Sequence, residues 1–331
     1  MASPRIDRLD KNYLINGNFD FWQRGVSLGV TGGSAFLSDR YKFWADPTNN
    51  WTCSRDTDVP TLAQSGTKSS YSMKFLNNSS VAQGATSYVY HEQTLEGIFL
   101  RDLIGETCTI SFWMKSSVIG DYTVGLYDTA SDWKYLAKAT VNVADTWEKK
   151  VITLDISDTV NFPLDNSGGM RITVWMTVGT DYQSPTINQW ANLPGKFGVD
   201  TQVNWSETAG STCFFSQMKL SKGVEQEFSM AGRDYAEELR LCQRYYQLNF
   251  ASGGGEVNSV DTINREMSCS VNFLETMRTI PAVDVSTVIA DQNVQSSNAY
   301  NIKEVGFSFK VIRSTTGVYH SNRWAKCDAE L

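Results

Sequence analysis

The chain has 331 residues, 41% hydrophobic, 20% charged and 12% aromatic, with 10 Trp. That composition predicts roughly two globular domains and excludes both whole-chain disorder and a disulfide-stapled miniprotein. A formal net charge of −7, without any run of basic residues, excludes the phosphate-tracking footprint of a nucleic-acid binder.

In chain order, the hydrophobic pattern from about Tyr13 to Leu220 has period two, broken by Gly, Ser, Asn and Asp clusters. This predicts antiparallel strands at Ser70–Phe75, Ser87–Leu95, Thr107–Lys115, Tyr122–Asp128, Trp147–Asp155, Met170–Val178 and Thr212–Leu220, each rich in β-branched and aromatic residues. Such a series suggests a jelly-roll β-sandwich. From Arg233 to Tyr246 the period changes: Tyr235, Leu239, Cys242 and Tyr246 recur at helical spacing, with acidic residues early and Arg240 and Arg244 late, which suits the helix dipole. After Gly253-Gly254-Gly255 the alternation resumes around Val271–Leu274 and Val305–Ile312, with Pro281 marking an edge strand or a turn. The expected fold is therefore all-β: an N-terminal arm over 1–12, a jelly roll over 13–222, a linker with a short connector helix over 223–250, and a smaller C-terminal β domain over 251–331.

Several segments carry a family resemblance. Asn12-Tyr13-Leu14-Ile15-Asn16-Gly17-Asn18-Phe19, Trp22-Gln23-Arg24-Gly25 and Ser38-Asp39-Arg40-Tyr41 resemble the start of the carbohydrate-binding-module-like jelly rolls of bacteriophage tail proteins. Phe214-Phe215-Ser216-Gln217-Met218-Lys219-Leu220-Ser221-Lys222-Gly223 is similar to their closing strand, and Tyr235 to Tyr246 to the connector that follows. Met277-Arg278-Thr279-Ile280-Pro281-Ala282-Val283 and the final Asp328-Ala329-Glu330-Leu331 are similar to their C-terminal domain. The resemblance implies a virion protein of the tail-fibre or receptor-binding kind: a homotrimer that binds host-surface polysaccharide and joins other virion proteins through its short N-terminal arm. It also implies a structural calcium near the first and last strands, with Asp20 in the place of an acidic ligand. Ser216 and Gln217, however, stand where a carboxylate partner is expected, which argues against several oxygen ligands for a hard cation. No other cofactor is expected.

Strand alternation places Cys108, Ile110, Phe112 and Met114 on one face and Thr109, Ser111, Trp113 and Lys115 on the other. Likewise it buries Met170, Ile172, Val174, Met176 and Val178, leaving Arg171, Thr173, Trp175 and Thr177 opposite. With Tyr127, the rings of Trp113 and Trp175 are expected to share one outer sheet face. Two readings compete. The rings stack on the C–H faces of sugars while Arg171, Lys115 and Thr173 bond hydroxyls, or a loop or neighbouring subunit covers them. A second aromatic set, Trp44, Trp51, Trp133, Tyr135, Trp190 and Trp205, is expected in loops. Of these, Trp190 and Trp205 fall in the long segment Thr180–Glu207, which suggests recognition or packing over the sandwich edge.

No enzyme signature survives inspection. Gly25-Val26-Ser27-Leu28-Gly29 fits a nucleophile-elbow pattern but lacks the strand-then-helix setting that elbow needs. His91-Glu92 is not a zinc motif, since Leu95 stands four residues on. Six cysteines, Cys53, Cys108, Cys213, Cys242, Cys269 and Cys327, lie far apart with only His91 and His320 as companions, and are expected as isolated thiols made in a reducing cytoplasm. The opening residues lack the apolar core of a signal peptide, and no apolar run is long enough to span a bilayer, so neither export by that route nor membrane insertion is expected. The expected role is a non-enzymatic virion attachment protein that binds host glycans. A purely structural virion protein, such as a head decoration or tail connector, and a glycan-degrading tailspike are the alternatives.

Overall fold

The computed structural model describes residues 11–46, 50–80, 82, 84–225, 228, 234–257, 266–292, 294–313 and 317–331. Its contacts divide the chain between Asp234 and Tyr235 into two compact units. The first contains strands β1 (Ser27–Val30), β2 (Gly33–Phe36), β3 (Lys42–Asp46), β4 (Trp51–Asp56), β5 (Ser72–Asn77), β6 (Tyr88–Glu96), β7 (Thr107–Ser116) and β8 (Gly120–Asp128). It continues with β9 (Trp133–Val141), β10 (Glu148–Asp155), β11 (Gly168–Val178), β12 (Gln183–Ser184), β13 (Trp190–Asn192), β14 (Gly198–Val199) and β15 (Thr212–Lys222). These form two main sheets, one ordered β1-β4-β5-β15-β7-β10 and the other β13-β9-β8-β11-β6-β3-β2, with β12 and β14 as a small parallel pair. Within the two large sheets every strand pair is antiparallel, and their inner faces enclose one apolar core. This is the jelly-roll β-sandwich that the alternation predicts, and it places apolar side chains inward at every second residue.

The inward face of β7 is Cys108, Ile110, Phe112 and Met114, and that of β11 is Met170, Ile172, Val174 and Met176, as the alternation requires. Val178 breaks the sequence expectation. A register shift between Trp175 and Thr177 turns the end of β11 over, so Val178 pairs with Tyr88 and packs with Val199 outside the sandwich. One extra residue in a strand reverses the facing of all that follow.

The expected arm does not extend to residue 12. Asn12 is buried, its Nδ2 donating to Met218 O at 2.9 Å and its Oδ1 accepting from Leu14 N and Leu220 N, both at 3.0 Å. Residues 1–10 lie outside the described residues. Nearby, Gln93 acts as a surrogate peptide group, exchanging two 2.8 Å hydrogen bonds with the backbone of Ile15. Gly17 is required by close approach: a Cβ there would lie 2.0 Å from Met218 O.

The second unit, Tyr235–Glu330, holds β16 (Tyr246–Val257), β17 (Glu266–Asn272), β18 (Ala282–Gln292), β19 (Val294–Lys303), β20 (Gly306–Arg313) and β21 (Gly317–Asp328). They pair as two three-stranded sheets, β16-β21-β18 and β17-β20-β19, around Ala251, Met277, Phe307, Phe309, Val311, Ala325 and Cys327. β18 follows Pro281 and lies at a sheet edge, where a missing N–H is tolerated. The helix spans Tyr235–Gln243 and buries Glu238 and Cys242. The linker expected over 223–250 is thus corrected: the helix and the start of β16 belong to this unit, because the chain re-enters a sheet at Tyr246, which pairs with Asp328. No disulfide joins any of the six cysteines, and only Cys269 is not buried. No described helix is long and apolar enough to cross a membrane.

His91, on the inner face of β6, is 1% exposed between Phe75 and Phe215, with ring centroids at 5.5 and 4.4 Å. Neither ring nitrogen has a hydrogen-bond partner among the described residues. Burial holds the imidazole neutral and pushes its pKa down to about 3. A folded pKa below the unfolded one means that the associated stability is complete above the unfolded value near 6.5 and is lost as the pH falls towards 3. The first unit is expected to lose on the order of 4 kcal/mol across that window from this one group. Urea unfolding of the wild type and of His91→Phe as a function of pH checks this: the variant's stability should fall less steeply below pH 6.5.

Candidate functional site

The six sequence-predicted face residues do not share a face. Trp113 and Lys115 lie on β7 in one sheet, whereas Tyr127, Arg171, Thr173 and Trp175 lie on β8 and β11 in the other. Alternation fixes which side of a strand a residue takes but not which sheet the strand joins, so the expected common surface separates into the two opposite outer faces of the sandwich.

Both rings are covered by their own chain. Trp113, 8% exposed, clusters with Trp147 and Phe214. Over this cluster Lys115 Nζ sits 4.2 Å from the Phe214 ring centre and 5.5 Å from that of Trp147. Asp58 accepts from both Lys115 Nζ and, at 2.9 Å, Trp147 Nε1. That face is a closed layer of rings under cations, a favourable arrangement in its own right.

On the other sheet Trp175 is 3% exposed and Tyr127 5%. Trp175 is stacked between Tyr90 at 4.0 Å and Phe197 at 5.6 Å, so both its faces are occupied. Its Nε1 donates to Thr173 Oγ1 at 2.9 Å, and Thr173 Oγ1 in turn donates to Gly125 O at 3.2 Å. The covering segment, residues 180–203, is tied down from below. Tyr127 Oη donates to Phe197 O at 2.6 Å, Lys134 Nζ to Leu193 O at 2.7 Å, and Thr123 N and Oγ1 both to Gln202 Oε1 at 2.7 Å. Of the two readings of Tyr127 and Trp175, covered packing is the one the structure shows.

The expected loop aromatics also move into the framework. Trp51 and Trp205 are core residues stacked at 5.7 Å, with Trp205 fully buried. Trp190, half-buried on β13, packs on Tyr135 and Phe162 and donates Nε1 to Asp155 O at 2.8 Å. Asp155 ends β10 in the opposite sheet, so Trp190 bridges the open edge of the sandwich. Trp44 lies on β3 and Trp133 and Tyr135 on β9, so all three are strand rather than loop residues.

What remains partly open is the outer face along the border of the covering segment, where Tyr182 of that segment meets Tyr88. Here β3, β6 and β11 lie side by side, so Lys42 opposes Glu92, Trp44 opposes Tyr90, Asp46 opposes Tyr88, and Tyr90 opposes Trp175. Trp44 stacks on Tyr90 with centroids 6.3 Å apart and planes within 12°, and carries Lys42 Nζ at 4.3 Å over its ring. Tyr88 stands beside Tyr90 and Tyr182, at 5.9 and 6.3 Å, and is partly exposed, as is Tyr182. Between the rings lies Glu92, 3% exposed, accepting from Trp44 Nε1 at 3.0 Å and paired with Arg171 Nε at 3.1 Å. The two atoms that meet, Glu92 Oε2 and Arg171 Nε, are both shut off from solvent, whereas the Arg171 side chain as a whole is 38% exposed. Burial pushes the Glu92 carboxyl up, against the opposing effect of Arg171, Trp44 and Lys42. The result is a patch with aromatic walls, a carboxylate, a guanidinium and an ammonium on rigid strands. Its partly exposed Tyr88 and Tyr182 can stack on an apolar ring face, and the exposed part of the Arg171 guanidinium can donate to hydroxyls. Of the sequence candidates it retains Arg171. It adds Trp44, Tyr88, Tyr90, Glu92, Lys42 and Tyr182, whose signal was the alternation Tyr88, Tyr90, Glu92 on one face of β6.

Asp20 is partly buried and accepts from Asn18 Nδ2 at 3.1 Å, and burial raises its pKa. No group of three or more His, Cys, Asp or Glu side chains gathers as a metal site among the described residues.

No family model matches the sequence, and no curated protein matches it. Among solved structures, the chain is similar to a CBM61 module in complex with β-1,4-galactotriose, at 13% identity and a TM-score of 0.34, over 64% of this chain and 99% of that one. It is also similar to the CBM22-1 xylan-binding domain from Paenibacillus barcinonensis, at 11% identity and a TM-score of 0.31, over 66% and 97%. A third likeness is to the enzymatically active domain of tailspike protein 4 from bacteriophage CBA120, at 11% identity and a TM-score of 0.33, where the chain spans 64% of its own length but 21% of the other's. The functional reading rests on the residues of the patch rather than on these likenesses.

Trp175→Ala is expected to behave as a core truncation, costing about 3–5 kcal/mol, whereas Tyr88→Ala should cost less than about 1 kcal/mol. Chemical denaturation of both variants checks the contrast.

Proposed function

We propose that this chain is a non-catalytic carbohydrate-binding protein that takes a polysaccharide across the open part of the β3-β6-β11 face. The observation that carries the reading is the partly exposed Tyr88 and Tyr182 beside Trp44, next to an Arg171 side chain that is 38% exposed and anchored by the buried Glu92. Aromatic faces match the apolar face of a pyranose, and a guanidinium held in place by a buried carboxylate matches its hydroxyls. Binding at one such patch is weak, and multiplicity raises the avidity.

The opening and closing motifs of the jelly roll, similar to those of phage tail proteins, support the finer proposal. In it the chain serves in a virion as a tail-fibre or receptor-binding protein, assembles as a homotrimer, contacts other virion proteins through its N-terminal residues and binds the host surface glycan.

Retention of the full chain on host cells and on their extracted surface polysaccharide tests the proposal, with sugar release followed in the same experiment. Tyr88→Ala and Arg171→Lys should each weaken retention about tenfold, equivalent to ~1.4 kcal/mol, with oligomeric state and Tm close to wild type. Absence of retention by a folded wild type would overturn glycan binding and favour a structural virion role. Release of oligosaccharide would overturn the non-catalytic reading.

A further inference from the structure

The final strand of the sandwich is interrupted where it meets the N-terminal segment. β15 has a register shift against β7 between Ser216 and Lys219, and within it Gln217 takes a left-handed φ of 52°. Its side chain is turned into the protein and is 1% exposed. There Gln217 Nε2 faces three oxygens: Ser69 Oγ at 2.8 Å, Thr67 O at 3.0 Å and Ser65 Oγ at 3.2 Å. Ser69 Oγ donates onward to Asn18 Oδ1 at 2.7 Å, and Asn18 Nδ2 donates to Asp20 Oδ2 at 3.1 Å. The acid and the last-strand position that the sequence singles out for calcium are therefore joined in one network, at the centre of which is a carboxamide nitrogen.

Hydroxyls, a peptide carbonyl, an amide oxygen and a carboxylate form the donor set of a hard-cation site. A cation would need Gln217 to present its oxygen to that set. The acceptor-only Thr67 carbonyl fixes the opposite orientation, because only the NH2 group can serve it, and Gln217 Oε1 points away without a hydrogen-bond partner among the described residues. The pocket as built does not fit a metal. We infer that the Gln217 carboxamide stands in for a bound cation, tying the 65–69 loop to the final strand by hydrogen bonds, so that the wild-type fold needs no calcium. A carboxylate at position 217 would then supply the missing charge and turn the same oxygens into a calcium site.

Thermal unfolding of the full chain in millimolar CaCl2 and in excess EDTA tests the inference on the wild type, Gln217→Ala and Gln217→Asp. The wild-type Tm should agree within about 1 °C between the two conditions. Gln217→Ala should be lowered equally in both. Gln217→Asp should be lowered in EDTA and raised by calcium by about 3 °C or more, with calcium binding visible by titration calorimetry. A wild-type Tm that falls in EDTA and recovers with calcium would overturn the inference, as would a folded Gln217→Asp that ignores calcium. If that variant folds in neither condition, the wild-type comparison still decides.

Discussion

The sandwich depends on the junction between its first residues and its last strand. A jelly roll brings the two ends of its chain together in adjacent positions, and strands of that kind are held only if their backbone groups find partners. Here Tyr13 N donates to Leu220 O and Met218 N to Gly17 O, both at 2.8 Å, across a gap of some two hundred residues. The long separation makes loop closure costly in entropy, and the junction answers with side chains that imitate peptide groups: Asn12 on β15, Gln93 on Ile15, and Asn16 bonding Phe21 N, Phe21 O and Asp39 O. Asn16 and Phe19 both take positive φ, an uncommon conformation outside glycine that persists when its surroundings over-determine it. The Asn-Gly-Asn motif is thus legible as structure before it is legible as function.

The outer faces obey a different constraint. A two-sheet sandwich has only one interior, yet this chain carries more ring surface than that interior can hold, and large rings left in water are unfavourable. The solution differs between the two faces. On the β7 side the rings of Trp113, Trp147 and Phe214 are roofed by the ammonium groups of Lys115 and Lys74, the latter 5.2 Å from Phe214, each cation in turn held by Asp58 or Asp56. On the β11 side the roof is the segment 180–203, whose own Phe197 and Val199 extend the apolar cluster.

Much of this was legible in the sequence, and the exceptions have physical causes. β5, β6, β7, β8, β10, β11 and β15 were visible because apolar residues recur at every second position over most of their length. β9 has the same period, with Trp133, Tyr135, Ala137 and Ala139 alternating with Lys134, Leu136 and Lys138, and its outward lysines lie along the sheet, where a long stem covers apolar surface while the ammonium finds a carbonyl or an acid, as Lys134 does with Leu193 O and Asp132. The outward facing of Trp113 and Trp175 was correct, but their separation onto opposite sheets follows from strand order, which periodicity does not encode. Val178 was misplaced because a bulge leaves no mark in composition. The proposed site shares Arg171 with the sequence candidates and draws its other residues from β3 and β6, because strand order sets Trp44 and Lys42 beside Tyr90 and Glu92, a juxtaposition that periodicity does not encode.

One row of rings serves both purposes on the β11 face. Trp44, Tyr90, Trp175 and Phe197 form a continuous stack with interplanar angles of 12°, 22° and 21°, running from β3, one strand in from the edge strand β2, to the underside of the covering segment. Each ring is fixed by the next, so Trp44 at the open end has little rotamer freedom left to lose in an encounter. Preorganisation of this kind lowers the entropic cost of association, and it is supplied here by burial of the far end. Covering Trp175 therefore does not remove it from the proposed recognition: its packing against Phe197 anchors the stack at whose far end Trp44 stands, and the roof that hides one part of the face holds the proposed binding part rigid.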